Sequence, residues 1–248
     1  MDSHAAWIWF LSSAFVAEVI GTMAGFGAAT ILTPIAALFM DVKTAIAVVA
    51  CFHLFGNASR LVFFGRHIHW KTWLQFGLTG VLFSVIGAQV TTRIPSAVVQ
   101  LLFGIFLLLY VGWSVRGSER LRLPRTPATL IGGGAASGFV AGLLGTGGAI
   151  RSACLLIFDL PTDAYIGTSA AIALVVDATR LPVYLMGRLL PHQMAPALAG
   201  LVLVAFAGAS LGQRLVHHLS ADTFRRFVLI MLALMGLKML ADGWHGLA

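Results

Sequence analysis

The chain has 248 residues, 59% of them hydrophobic and 10% charged, and a mean hydropathy of +0.93. A soluble domain is closer to a quarter charged, so the polar surface is too small to cover a globule in water, and lipid must act as solvent. The net charge of +7 does not point to nucleic acid, because the basic residues form no single patch; many sit in short loops between apolar runs, where Lys and Arg fix topology.

In chain order, the first apolar run covers 5–24. No Lys or Arg precedes it and Asp2 stands there instead, so it reads as a retained helix rather than a signal peptide. The cluster Gly25-Phe26-Gly27-Ala28-Ala29 then opens a short run, 26–40, followed by runs at 44–64, 72–92 and 95–115. A polar stretch, 116–125, carries Arg116, Glu119, Arg120, Arg122 and Arg125. Beyond it come 128–144, then the cluster Gly145-Thr146-Gly147-Gly148-Ala149 opening 147–160, then 164–186, 194–213 and 223–241. A spanning helix needs about 20 residues. The runs 26–40 and 147–160 are too short to cross upright, and each follows glycines, so each is expected to be a half-helix entered from a non-helical break.

The order of runs repeats after roughly 120 residues. Asn57-Ala-Ser-Arg60 matches Asp177-Ala-Thr-Arg180 at the same offset as the glycine clusters, and Gly65-Arg66 matches Gly187-Arg188 after a small shift. The expected fold is an all-α polytopic membrane protein, one domain over 1–248. Repeat 1 covers 5–115, 116–125 is the linker, and repeat 2 covers 126–243; each repeat has about five helical segments, one of them a short half-helix. Either half alone would expose its central polar residues to lipid, so they are not separate domains. An odd number of crossings per half puts Arg66 and Lys71, the linker arginines, and Arg214, Arg225 and Arg226 on one face, taken as cytoplasmic. The repeats are therefore expected to be inverted, with both termini outside.

The glycine clusters are the first candidates for chemistry. Glycine lets a chain break and approach a ligand closely, and the free N–H groups that open the next helix carry partial positive charge. Gly25, Gly27, Ala28, Gly145, Gly147 and Gly148 are therefore candidate contacts for a small anion; Gly134, Gly138 and Gly142 read as close helix packing instead. Arg60 and Arg180 lie inside apolar runs, where a charge costs about 2.5–3.5 kcal/mol and must face a partner or a cavity. Asp177, one turn before Arg180, can pair with it. Asn57 stands where that acid would be in the first half, which leaves Arg60 without a local partner and freer to meet an anion. Arg151, just inside the second short run, is a third cation, with Asp159 as an alternative partner. Thr168 and Ser169 add hydroxyls that Val48 and Val49 of the first half lack. Glu18 is a candidate proton or cation coupling site, or a counter-ion for an arginine. His53 reads as a hydrogen-bonded interior residue before a proton relay. Cys51 and Cys154 form no C-x-x-C motif and read as packing residues. Trp7, Trp9, Trp70, Trp73, Trp113 and Trp244 fall near run ends, as interface anchors do. No pattern suggests a metal site, a nucleophilic triad or a phosphate loop, so no cofactor is expected.

The repeated glycine break, the short apolar run and Leu160-Pro161-Thr162-Asp163-Ala164-Tyr165-Ile166-Gly167-Thr168-Ser169 with Gly187-Arg188 downstream resemble the sulfite exporter TauE/SafE family, also called the toluene sulfonate uptake permease family. The second half matches well. The first departs, with Ala28 and Ala29 for glycines and Val48-Val49 for Thr-Ser, while Pro34 keeps a proline the family often carries. The resemblance implies a multi-pass carrier of the bacterial inner membrane, without enzymatic activity, for sulfite or small organosulfur anions. The residues alone reach only a small anion, held between the breaks and exchanged by alternating access; expelling it from a negative interior is downhill by about 2.3 kcal/mol per charge per 100 mV. The expected partners are a small anionic substrate and the bilayer, with a homodimer left open. An anion channel, or a sulfur-handling enzyme using Cys51 or Cys154, are the alternatives.

Overall fold

The computed structural model describes residues 4–116, 123–191, 194–216 and 222–247, with side chains omitted at 4–6, 195–197 and 222–227. Glu119, Arg120 and Arg122 of the linker, and the side chains of Arg225 and Arg226, lie outside the described part. The described chain is all helical: α1 (His4–Ala24), α2 (Ala28–Ala36), α3 (Val42–Phe64), α4 (Trp70–Arg93), α5 (Ser96–Val115), α6 (Pro127–Leu144), α7 (Gly148–Leu156), α8 (Thr162–Met186), α9 (Ala195–Leu215) and α10 (Asp222–His245), with a 3-10 turn at Gly65–His67 after α3. Eight of these are long and apolar enough to cross a bilayer. The others, α2 and α7, have nine residues each, about 13 Å of helix against a hydrocarbon core of about 30 Å.

Both short helices are smaller than the expected 26–40 and 147–160. Gly27 takes a left-handed φ of 104° and delays α2 to Ala28, while residues 37–40 form turns closed by bonds such as Phe39 N–H to Ala36 O, 3.0 Å. Several longer helices start on side-chain caps: Asp41 accepts the Lys43 N–H at 2.9 Å before α3, and Thr126, followed by Pro127, accepts the Thr129 N–H at 3.4 Å before α6.

Polarity is turned inside out relative to a water-soluble bundle. Glu18, Asn57, Arg60, Arg151, Asp177 and Arg180 are all at most 3% exposed, whereas Leu109, Leu203 and Val62 are at least 69% exposed on the outside. Apolar surface that faces lipid needs no cover. The protein is a multi-pass membrane protein.

Inter-helix contacts fix the running directions. Phe64 packs at Gly167 and His53 at Asp177, so α3 and α8 are antiparallel. Gly104 meets Gly236 and Ala97 meets Gly243, so α5 and α10 are antiparallel as well. By contrast α1 runs parallel to α9 (Leu11 at Gly200, Thr22 at Gly212) and α4 parallel to α6 (Gly80 at Gly138, Ser84 at Gly142). Advancing each helix label by five turns the α1–α9 pair into α6–α4, and returns α3–α8 and α5–α10 to themselves. Glycine makes the α4–α6 seam close: a methyl group at Gly134, Gly138 or Gly142 would collide with the carbonyls of Phe76, Gly80 or Ser84. Glu18 and Thr22 meet Gly56 and Arg60 in register, so α1 and α3 run the same way. The chain therefore turns back through α2, which lies antiparallel to α1, with Ala28 at Gly21 and Phe39 at Phe10. These directions place Arg66, Lys71, Arg116, Arg125 and Arg214 at one end of the bundle and Lys43, Arg93 and Arg188 at the other.

Candidate anion site

The two glycine breaks meet. Gly25 (φ 72°), Gly27 (φ 104°) and Gly145 (φ 79°) occupy the left-handed region, which a side chain would strain. Thr30 and Thr146 share a hydroxyl–hydroxyl bond of 2.5 Å across the junction, and a Cβ on Gly148 would lie 3.5 Å from the Gly27 nitrogen. Because α2 folds back along α1 and α7 folds back along α6, the short helices approach with their N-termini together. The first bonds inside them run from the Ile31 N–H to Gly27 O at 2.9 Å and from the Arg151 N–H to Gly147 O at 3.0 Å. The N–H groups that precede these have no partner within the helix, and their dipoles put positive potential at the junction.

Between the breaks lies a cavity of about 10 Å³, lined by Gly27, Ala29, Thr30, His53, Gly145 to Gly148, Arg151, Ala173, Asp177 and Arg180 among others. That is room for about one water. A second cavity of about 330 Å³ adjoins it through Gly27 and Thr30, walled by apolar residues that include Phe26, Ile31, Tyr110, Trp113 and Leu232. It lies toward the end of the bundle that carries Arg116 and the linker.

Two buried ion pairs flank the junction. Arg60 donates from NH2 to Glu18 Oε1 at 2.6 Å, from Nε to Thr22 Oγ1 at 2.9 Å and from NH1 to Asn57 Oδ1 at 3.1 Å. Gly56 and Gly208 make room for the acid: a Cβ at Gly56 would lie 2.6 Å from Glu18 Oε1, and one at Gly208 2.8 Å from Glu18 Cβ. Arg180 donates twice to Asp177 Oδ1, at 2.6 and 2.9 Å, and also to the carbonyls of Ala141 and Gly145, which end α6. Asp177 Oδ2 accepts from Asn57 Nδ2 at 3.3 Å and lies 2.8 Å from His53 Nδ1. One hydrogen-bonded chain thus runs from α1 through α3 and α8 to α6.

Arg151 is different. Its Nε donates to Ser169 Oγ at 2.9 Å, and Ser169 donates on to Gly25 O at 2.9 Å, tying the two breaks together. No carboxylate pairs with it among the described residues, and its buried NH2 has no hydrogen-bond partner. The Gly148 Cβ position is 3.7 Å from that nitrogen, so it sits beside the junction. Among the described residues, the interior therefore holds Arg60, Arg151 and Arg180 against Glu18 and Asp177, one cation in excess.

The sulfite exporter TauE/SafE family profile matches residues 10–239. The chain belongs to the sulfite exporter TauE/SafE family. A probable membrane transporter protein of Methanocaldococcus jannaschii is 29% identical over 152 residues, which is 55% of this chain and 56% of that protein; the match thus spans little more than half of the relative. No solved structure matches the chain.

Within this TauE/SafE chain, the residues singled out from sequence sort unevenly around the junction. Gly27, Gly145, Gly147, Gly148, Arg151, Asp177 and Arg180 line the small cavity. Gly25 and Ser169 hold its wall through the Ser169–Gly25 bond. Ala28 packs at Gly21 instead. Arg60 has no carboxylate on its own helix, as expected, but it is not free to meet an anion, because Glu18 reaches it from the parallel neighbour α1 and takes the counter-ion role that was the alternative to coupling. Asn57 serves as a bridge between Arg60 and Asp177 rather than as cavity lining. Asp159 does not pair with Arg151; it bonds Arg125 at the surface. Thr168 accepts the His69 N–H at 2.9 Å at the start of α4 and is not among the cavity's lining residues. Trp113 lines the larger cavity. Thr30, Ser152 and Tyr165 were missed: Thr30 and Ser152 line cavities, and Tyr165 donates to Ser152 at 2.7 Å under Gly25. Only the proximity of Thr30 and Ser152 to the glycine clusters could have signalled them.

Proposed function

We propose that the chain is a membrane transporter that exports small sulfur-containing anions, such as sulfite or organosulfonates, across a bacterial inner membrane by alternating access around the junction of α2 and α7. The observation that carries this reading is Arg151: an arginine 3% exposed, without a carboxylate, with a free donor at the meeting point of two helix N-termini. An uncompensated cation at membrane depth is costly, and an oxyanion supplies both the missing charge and acceptors for a planar donor fork. The family name supports transport of a sulfur oxyanion, and the relative's name supports membrane transport. The exchange symmetry of the helix pairs, with antiparallel α3–α8 and α5–α10, supports inverted repeats, and the basic end of the bundle would be cytoplasmic.

A carrier is favoured over a channel by the cavity itself. At about 10 Å³ it cannot admit sulfite, so α2 and α7 must part for the anion to bind. The larger cavity then serves as the approach from the linker side. An enzyme built on thiols is less supported, because Cys51 and Cys154 are buried on different helices.

Reconstitution into liposomes tests the reading. Sulfite flux through the wild type should saturate and show counterflow, and Arg151→Ala should bring it to background while the variant still elutes as folded protein. Wild-type flux in Arg151→Ala, or flux that never saturates, would overturn the site or the carrier respectively.

A further inference from the structure

We propose that the central site takes up one proton with each anion, on Nε2 of His53. This rests on the reading of the junction as an anion site. His53 lines the small cavity and is 5% exposed. Its Nδ1 lies 2.8 Å from Asp177 Oδ2, and Asp177 is paired through its other oxygen with the Arg180 guanidinium. A carboxylate so paired only accepts hydrogen bonds, so Nδ1 carries the hydrogen. In the neutral ring the lone pair is then on Nε2, and Nε2 is buried with no partner.

The cavity is thus lined by two residues that each carry an unfinished group: a spare donor on Arg151 and a bare acceptor on His53. An anion seated on Arg151 meets that lone pair and is repelled. One proton on Nε2 turns the ring into a donor and adds a charge for the anion to match. The charged neighbours favour the pairing of the two events. Asp177 and Arg180 from α8 neutralise each other, as do Arg60 of α3 and Glu18 of α1. Only Arg151 of α7 is left over; α2 carries no charged residue. An anion entering beside Arg151 supplies countercharge for one further positive charge at the site, so anion and proton bind with positive coupling. Glu18, the acid that sequence alone favours for coupling, is outside the cavity lining. In the second half the position of His53 is Ala173, so the site has one such group. The charge moved per turnover then falls by one, and the membrane potential pulls less on the cargo.

The experiment is anion binding to the purified protein in weakly buffered solution with a pH indicator. Methanesulfonate is the probe, because it has no titratable proton of its own; if only sulfite binds, the infrared spectrum decides instead, because sulfite can take up the proton itself. The expected result is uptake of about one proton per anion, with affinity falling about tenfold per pH unit on the alkaline side. His53→Gln keeps a donor for Asp177 but cannot be protonated, so it should bind more weakly, and the binding that is left should come without uptake and without pH dependence. An infrared difference spectrum of the wild type, anion-bound minus free, should carry imidazole bands and no protonated-carboxyl band; this reading stands even if the variant fails to fold. Binding without proton uptake, uptake that persists in His53→Gln, or a protonated-carboxyl band would overturn the proposal while leaving the anion site intact. If neither anion binds, the anion-site reading falls and this proposal with it.

Discussion

The two halves share a helix plan and differ at the few positions that matter for charge. Where the second half has Arg151, Ser169 and Asp177, the first has Ile31, Val49 and Asn57; where the first has Glu18 and His53, the second has Gly138 and Ala173. Each half keeps one carboxylate and one paired arginine, but the acid comes from α8 itself in one and from α1 in the other. The paired arginines are framework shared by both halves. Arg151 and His53 have no counterpart at the matching position of the other half, and these are the residues on which the proposed anion site rests. On the proposed reading, the unmatched residues, rather than the repeated ones, are the better guide to the ligand.

The largest effects should come from breaking the pairs. Asp177→Ala or Glu18→Ala strands a buried arginine and should cost about 3–5 kcal/mol, read as a lower thermal midpoint in detergent. Glu18→Gly with Asn57→Asp gives the first half the second half's arrangement, and should recover part of the stability that Glu18→Gly alone loses. Arg151 should behave with the opposite sign. Arg151→Met removes an unpaired buried cation, so the ligand-free protein should gain stability, by about 1–4 kcal/mol, while anion flux disappears. If Arg151→Met and Arg180→Met destabilise alike, the distinction between framework and site arginines fails.

Next is the α4–α6 seam. Gly138→Val drives a side chain into the Gly80 backbone and should cost about 1–3 kcal/mol, whereas Gly112→Ala, with open space at its Cβ position, should be neutral. Ser169→Ala removes the bond that steadies Arg151 and should weaken anion binding several-fold, about 1 kcal/mol. At the surface, Arg125→Ala breaks an exposed pair with Asp159 and should shift stability by less than about 1 kcal/mol.

Much of this plan was legible in the sequence. Run lengths and glycine clusters foretell ten helical segments, two of them short, because membrane depth sets the length of a span and only glycine opens a left-handed break cheaply. Arg180 with Asp177 was legible too, since i and i+3 face one another on a helix. The partner of Arg60 was legible only as one of two alternatives, with Glu18 as an arginine's counter-ion or as a coupling site. Glu18 lies 42 positions away, and only the parallel course of α1 and α3, made possible by the return through α2, brings them together. Thr168 misleads for a related reason: it neighbours Ser169 in sequence, but on a helix adjacent residues point apart, so one meets Arg151 and the other caps α4. The free donor of Arg151 and the bare nitrogen of His53 depend on the absence of partners, which no local pattern can reveal.

The most direct test is calorimetric titration of sulfite into wild-type protein and into Arg151→Ala. The account predicts saturable binding of one sulfite per chain in the wild type and none measurable in the variant over the same range. Equal binding by both proteins would contradict it, because the anion would then be held somewhere other than the junction of α2 and α7.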